Sequence, residues 1–202
     1  MTDKGLIISL SGPSGVGKGT VLAGVREKLP ECGNSVSVTT RSPREGEAEG
    51  VAYFFRTKEE FQKLLADGEI LEYDTYVDNY YGTPTAPLHK MSSEGTDVLL
   101  DLTIAGSLAL KEKFDQAVTI FILPPSYEEL RSRLTSRGTE TAEVIERRLG
   151  EAKSEIERAN EFDYVVVNDD LEEAVAKVLA IIEAEKCRYK HNQGIEKRTS
   201  WT

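Results

Sequence analysis

The stretch Gly12-Pro13-Ser14-Gly15-Val16-Gly17-Lys18-Gly19-Thr20 limits the possible folds of this chain more than any other feature. Before it stands Leu6-Ile7-Ile8-Ser9-Leu10, an apolar run of strand length, and after it residues 21–29 carry apolar side chains at helical spacing. Strand, glycine-rich loop and helix, in that order, form the setting in which such a loop cradles phosphate. Its glycines permit backbone angles that converge successive N–H groups on an anion at the positive end of the helix. Lys18 would reach the terminal phosphates. One position departs from the pattern Gly-x-x-x-x-Gly-Lys-[Ser/Thr], because Gly19 takes the place of the metal-binding hydroxyl and Thr20 follows it. The loop therefore specifies phosphate binding more firmly than metal ligation. A plain glycine turn with a solvated lysine is the competing reading, and the flanking strand and helix argue against it.

The 202 residues suit one domain with sub-domains, and the formal charge of −10 argues against a general nucleic-acid surface. Anion binding must then come from local clusters. Six of the twelve arginines fall between positions 131 and 158, which is such a cluster. Cys32 and Cys187 lack metal-ligand or disulfide spacing and read as ordinary thiols of a reducing compartment. No apolar run approaches membrane-spanning length and no signal-peptide core is visible, so a cytoplasmic protein without membrane or nucleic-acid partners is expected.

Along the chain, residues 35–40 alternate like an edge strand, and Arg41-Ser42-Pro43-Arg44-Glu45-Gly46-Glu47 follows as a polar turn. A bend at Pro43 could let both guanidiniums converge on a phosphate monoester; a solvated loop of mixed charge fits the local pattern equally well. Residues 51–55 read as a strand, 58–66 as a helix and 70–77 as a strand, closed by Asn79-Tyr80-Tyr81-Gly82-Thr83-Pro84. These short strands without long crossover helices predict a small inserted β-rich lobe. Glu72 lies among apolar and aromatic neighbours, where a buried carboxylate needs partners unless it points to solvent.

The parallel pattern resumes at residues 97–101, a buried-type strand ending in Asp101. Such ends line the ligand crevice, so Asp101 could act on a magnesium ion or its waters, or cap the next helix. Residues 118–123 form the next strand. Two helices then begin near Ser126 and Thr141, and a helical hairpin carrying basic residues over the phosphate loop would behave as a lid. Helical spacing pairs Glu129 with Arg133, Glu143 with Arg147, Glu128 with Arg131 and Arg148 with Glu151, leaving Arg137 at the turn for an anion. A last strand, a helix through 170–185 and a basic tail complete the chain. The expectation is an α/β protein with a three-layer P-loop core around a parallel sheet (residues 1–34, 96–125 and 161–185). A β-rich lobe (35–95), a helical lid (126–160) and a flexible tail (186–202) are added to it.

From about Leu6 to Glu185 the chain resembles the guanylate kinases, which phosphorylate GMP with ATP. The likeness rests on motifs in the family's order. They are Gly12 to Thr20, Ser37-Val38-Thr39-Thr40-Arg41-Ser42-Pro43-Arg44 with Gly46-Glu47 and Tyr53, Glu72-Tyr73, Asn79-Tyr80-Tyr81-Gly82-Thr83, Arg137-Gly138-Thr139-Glu140-Thr141, and Val167-Asn168-Asp169-Asp170. The resemblance implies that Ser37, Arg41, Arg44, Glu47, Tyr53, Glu72, Tyr81 and Thr83 surround GMP, with Asp101 nearby. Arg41, Arg44, Tyr53 and Tyr81 would hold its phosphate, while Ser37, Glu72 and Thr83 would face the base. It further implies that Arg133, Arg137 and Arg148 come from the lid, that Asn168 lies near the ATP adenine, and that Lys18, Arg41, Arg137 and Arg148 assist transfer. Mg²⁺ would arrive with ATP, near Thr20 and Asp101, directly or through water. Where the family continues Asp-x-Asp-x-Gln-Gly, this chain has Asp101-Leu102-Thr103-Ile104-Ala105-Gly106, and Gly19-Thr20 resembles the loop ending of adenylate kinases. A non-catalytic guanylate-kinase-like interaction domain and a kinase for another nucleoside monophosphate are the rival functions.

Overall fold

The computed structural model describes residues 4–136 and 141–197. In chain order the elements begin with β1 (Ile7–Ser11), α1 (Lys18–Lys28), β2 (Val38–Thr39), β3 (Phe54–Phe55), α2 (Lys58–Ala66), β4 (Ile70–Tyr76), β5 (Asn79–Pro84) and α3 (Thr85–Ser93). They continue with β6 (Val98–Asp101), α4 (Ile104–Lys113), β7 (Ala117–Leu123), α5 (Tyr127–Thr135), α6 (Ala142–Ile156), β8 (Tyr164–Val167) and α7 (Leu171–Lys186).

Among the described residues the strands form two sheets of four. The first, in the order β6-β1-β7-β8, is wholly parallel. Helices cover both of its faces, so β1 is buried along its whole length and reads as a continuous apolar run rather than an alternating one. Ile8 and Leu10 pack toward Val21 and Val25 of α1 and Val175, Val178 and Ile182 of α7. Ile7 faces the other way, toward Leu88 of α3 and Leu110 of α4. This is the expected α/β core, and it sets the carboxyl ends of β1 and β6 side by side.

The second sheet has the order β3-β2-β5-β4, with β5 antiparallel to both neighbours. Its own small core is Val38, Phe61 and Ile70. Helix α2 is fixed above it by a capping box in which Thr57 accepts from the Glu60 amide and Glu60 accepts from the Thr57 amide. β2 and β3 are shorter than the sequence patterns at 35–40 and 51–55 suggest. The β4–β5 hairpin turns at Val77 and Asp78, both at positive φ, as a two-residue primed turn requires.

Residues 186–197 differ from the flexible tail read from composition. They carry two short 3-10 turns, Tyr189–His191 and Ile195–Lys197. The cause is Glu185, which is only 1% exposed on α7. Its carboxylate accepts from the Tyr164 hydroxyl at 2.5 Å and from Arg188 Nη1 at 2.8 Å, and lies 3.1 Å from His191 Nε2. Burial alone would raise the Glu185 carboxyl, but these three contacts outweigh it and hold it below the usual range. A carboxylate this buried is tolerable only with such partners, so the chain after α7 folds back onto it. Replacing Glu185 with Ala should therefore lower the unfolding free energy by about 2 kcal/mol or more. It should also open the 187–197 segment to trypsin; urea titration and limited proteolysis read the two effects.

Candidate active site

The loop between β1 and α1 is shaped by contacts from three directions. Gly17 sits at φ 89°, and a Cβ there would come within 2.6 Å of Asn168 Nδ2. That amide, buried just past the end of β8, donates to the Val16 carbonyl at 2.8 Å. Arg133 Nη1 from α5 donates to the same carbonyl at 3.2 Å, while its Nε is held by Glu129 at 2.7 Å. The loop borders a cavity of about 630 Å³ that is completed by Asp74, Thr103, Ile104 and Glu155. No acidic residue occupies the first turn of α1, so the positive end of its dipole faces this cavity uncompensated.

Lys18 crosses from α1 to β6. Its Nζ lies 2.7 Å from Asp101 Oδ1 and donates to the Leu102 carbonyl at 3.1 Å. Thr20 is exposed on the cavity side, and among the described residues nothing lies within 4 Å of a Cβ placed at Gly19. The Gly19 departure is thus not imposed by crowding.

Helices α5 and α6 pack on each other through Leu130, Leu134, Leu149 and Ala152. Arg148 Nη2 donates to Ser14 Oγ at 2.5 Å, so two of the three lid arginines expected from the sequence touch the loop. Arg137 lies outside the described residues, as do Gly138, Thr139 and Glu140. Of the predicted helical pairs, Glu129 with Arg133 forms as expected. Arg131 instead reaches across the hairpin to Glu146 at 2.5 Å, and Arg147 lies 3.8 Å from Glu151. Cross-helix partners compete easily here, since an exposed pair at helical spacing contributes only about 0.2–0.5 kcal/mol. Glu155 borders the cavity with its carboxyl raised by burial and by Glu151, against the pull of Lys18 and the Ser14 amide.

On the second sheet, Arg41 and Glu47 form a two-pronged pair, Nη2 to Oε1 at 2.8 Å and Nη1 to Oε2 at 3.0 Å. The Arg44 amide donates to Glu47 Oε2 at 2.8 Å. The Arg41 hydrogen bond, followed by that amide, holds the Glu47 carboxyl below its usual range. The Arg41 guanidinium lies 5.4 Å from the Tyr53 ring centre, and Tyr53 meets Tyr81 edge-on at 5.8 Å. Arg41, Glu47, Tyr53 and Tyr81 are therefore one cluster, with the Arg44 backbone tied into it. Glu47 closes this turn by joining the Arg41 guanidinium to the Arg44 amide.

Glu72 projects from β4 toward the carboxyl end of β6. Oε2 accepts from Thr103 Oγ1 at 2.5 Å and from the Thr103 amide at 3.3 Å, and Oε1 lies 3.5 Å from Thr83 Oγ1. Burial raises this carboxyl above the ordinary glutamate range, opposed by the two Thr103 donors, Lys18 and Thr83. A Cβ at Gly106 would fall 2.1 Å from Glu72 Oε2, so any side chain there would displace the carboxylate from this place. Ser37 is half-buried next to β2, and its carbonyl accepts from the Phe54 amide at 2.9 Å. Sequence reasoning named Thr103 only as a departure and did not find Gly106 or the link to Glu72. Asp101 does not cap α4; Thr103 does, by accepting from the Gly106 amide at 3.0 Å.

The architecture agrees with the comparisons to known proteins. Residues 4–185 match the family model described as guanylate kinase. The chain belongs to the guanylate kinase family. It is 48% identical over 186 residues to the guanylate kinase of Bacillus subtilis, covering 92% of this chain and 91% of that one. With the Lactococcus lactis guanylate kinase the identity is 50% over 188 residues, 93% and 92% of the two chains. A crystal structure of guanylate kinase from Anaplasma phagocytophilum superposes with a TM-score of 0.70 at 35% identity, over 98% of this chain and 94% of the other. Among the described residues no helix is long and apolar enough to cross a membrane.

The raised Glu72 carboxyl has a consequence for stability. The native state binds this proton more tightly than the unfolded chain does, so the benefit is complete below the unfolded value of about 4.3 and disappears as pH rises through the folded one. Glu72→Gln removes the cost of burying the charge. Its melting temperature should exceed that of the unaltered chain at pH 7 and converge with it toward pH 4; equal melting temperatures throughout would place Glu72 in a solvated setting.

Proposed function

We propose that this guanylate kinase transfers the γ-phosphoryl group of ATP to GMP or dGMP, giving ADP and GDP or dGDP. The observation that carries the proposal is the meeting of two opposite recognition devices at one crevice. Loop amides with Lys18 take the donor's phosphates, and the half-buried, acceptor-only carboxylate of Glu72 reads the acceptor's base. Guanine presents N1–H and the 2-amino group as adjacent donors, which an ionised carboxylate can accept together. Adenine presents an acceptor at N1, and a buried carboxylate left unpaired by the wrong base supports discrimination of about 10⁴.

The β2–β5 sheet and α2 serve as the GMP lobe, with Ser37 and Thr83 beside the base. Arg41, Arg44, Tyr53 and Tyr81 take the GMP phosphate. Glu47 keeps the Arg41 plane fixed, so the phosphate meets a preset fork instead of a mobile side chain. Asn168 is committed to the Val16 carbonyl, and its part in ATP binding is to hold the loop's shape. Arg133 and Arg148, with Arg137, bring positive charge from the lid, which closes over both nucleotides. The attacking GMP oxygen belongs to a phosphate whose second pKa is about 6, so it is already anionic near neutrality and no general base is needed. The protein's work is alignment and charge neutralisation.

Mg²⁺ enters as part of Mg-ATP. Thr20 and Asp101 are hard oxygen donors, and two such donors plus substrate phosphates suit an ion that keeps much of its water. When bound it neutralises phosphate charge. Asp101 shares itself with Lys18, which exchanges this partner for the incoming phosphates. The substrates are small, soluble nucleotides, which fits a cytoplasmic enzyme without nucleic-acid or membrane partners.

Coupled detection of ADP with GMP, dGMP, AMP and UMP as acceptors tests the proposal. GMP and dGMP should be preferred; faster use of AMP would mean a different monophosphate kinase, and no turnover at millimolar GMP would favour a non-catalytic interaction domain. Lys18→Ala should lower kcat by about 10² or more with the fold intact. Glu72→Gln should lower kcat/KM for GMP by about 10² or more while barely changing KM for ATP.

A further inference from the structure

The Thr103 hydroxyl has one proton, and its neighbours fix where that proton points. An ionised Glu72 can only accept, so the 2.5 Å contact from Thr103 Oγ1 to Glu72 Oε2 is a donation by the threonine. The same oxygen accepts from the Gly106 amide at 3.0 Å, which makes Thr103 the N-cap of α4. The Thr103 amide adds a second donation to Oε2 at 3.3 Å. On the other side, Gly106 offers bare backbone where any side chain would displace the carboxylate. Oε2 is therefore held, whereas among the described residues Oε1 has only the long contact with Thr83 at 3.5 Å. The two preceding residues, Asp101 and Leu102, hold Lys18 Nζ, so three consecutive residues at one strand end tie down both recognition devices.

We propose that Thr103 is a positioning residue for acceptor specificity: it anchors Glu72 through Oε2 and leaves the carboxylate oriented for a purine that presents two adjacent donors. The inference rests on the reading of Glu72 as the base-recognising group. It gives the Asp101-Leu102-Thr103 departure a function, because a hydroxyl at this position donates to Glu72 where a carboxylate could not.

The test compares the unaltered enzyme with Thr103→Val, Thr103→Gly and Thr103→Ser, using GMP, AMP and ATP kinetics across pH. Valine keeps the shape and loses the hydroxyl; glycine also loses it but retains most of the capping stability, so a fold problem in one variant is covered by the other. Both should raise KM for GMP about tenfold or more, with KM for ATP changed less than about twofold, and serine should restore the unaltered values. The acidic limb of kcat/KM for GMP should move to higher pH in the valine and glycine variants, because a donor favouring the charged carboxylate has been removed. GMP's own phosphate titrates identically in every case, so a difference between variants belongs to the protein. The inference is overturned if the valine and glycine variants keep the unaltered GMP constants and the same acidic limb, or lose ATP and GMP use equally, as a mere cap would. Should the unaltered enzyme fail to prefer GMP over AMP, the Glu72 reading itself falls and takes this inference with it.

Discussion

Two polyanions have to be brought within bonding distance on a chain whose formal charge is −10. That constraint explains why the cations around the crevice are held in place by protein acceptors. Lys18 has Asp101 and the Leu102 carbonyl, Arg133 has Glu129 and the Val16 carbonyl, Arg148 has Ser14, and Arg41 has Glu47. In the proposed roles, each guanidinium or ammonium is thus already oriented when a nucleotide arrives. The entropy of fixing long side chains is spent during folding, leaving less to be lost at binding. The open N-terminus of α1 adds its dipole to these placed cations.

The same site shows what function costs the fold. Glu72 is half-buried with its carboxyl pushed above the ordinary range, so the charged form that the proposed base reading needs is the form that folding disfavours. Thr103, Thr83 and Lys18 only partly offset that burden. Glu185, almost fully buried, lies at the opposite extreme: Tyr164, Arg188 and His191 outweigh its burial, and it serves to fasten the end of the chain. Two acids of the same type have opposite shifts because their supplies of donors differ.

Features carried by neighbours in sequence were legible before the structure. The β1–loop–α1 unit, the helix over residues 58–66, the buried strand ending at Asp101 and the starts of α5 and α7 all depend on residues within a few positions of one another. Helix α3 was hidden because Pro84 and Pro87 resemble loop residues, although a proline in the first helical turn gives up no needed hydrogen bond. The β4–β5 turn uses Val77 and Asp78 where glycine or asparagine would announce it. Long-range partners were the least accessible: Asn168 holds Val16 across 152 residues, Arg148 holds Ser14 across 134, and Thr103 holds Glu72 across 31. Family resemblance supplied the names of many of these residues, but not the bonds that make them a site.

A crystal structure with an adenosine–guanosine bisubstrate analogue would test the central claim most directly, since donor and acceptor are then linked in one ligand. The account predicts its phosphates on the amides of residues 14–20 beside Lys18, and guanine N1–H and the 2-amino group on Glu72, with Arg41 at the acceptor phosphate. A guanine turned away from Glu72, or phosphates lying outside the loop, would contradict it.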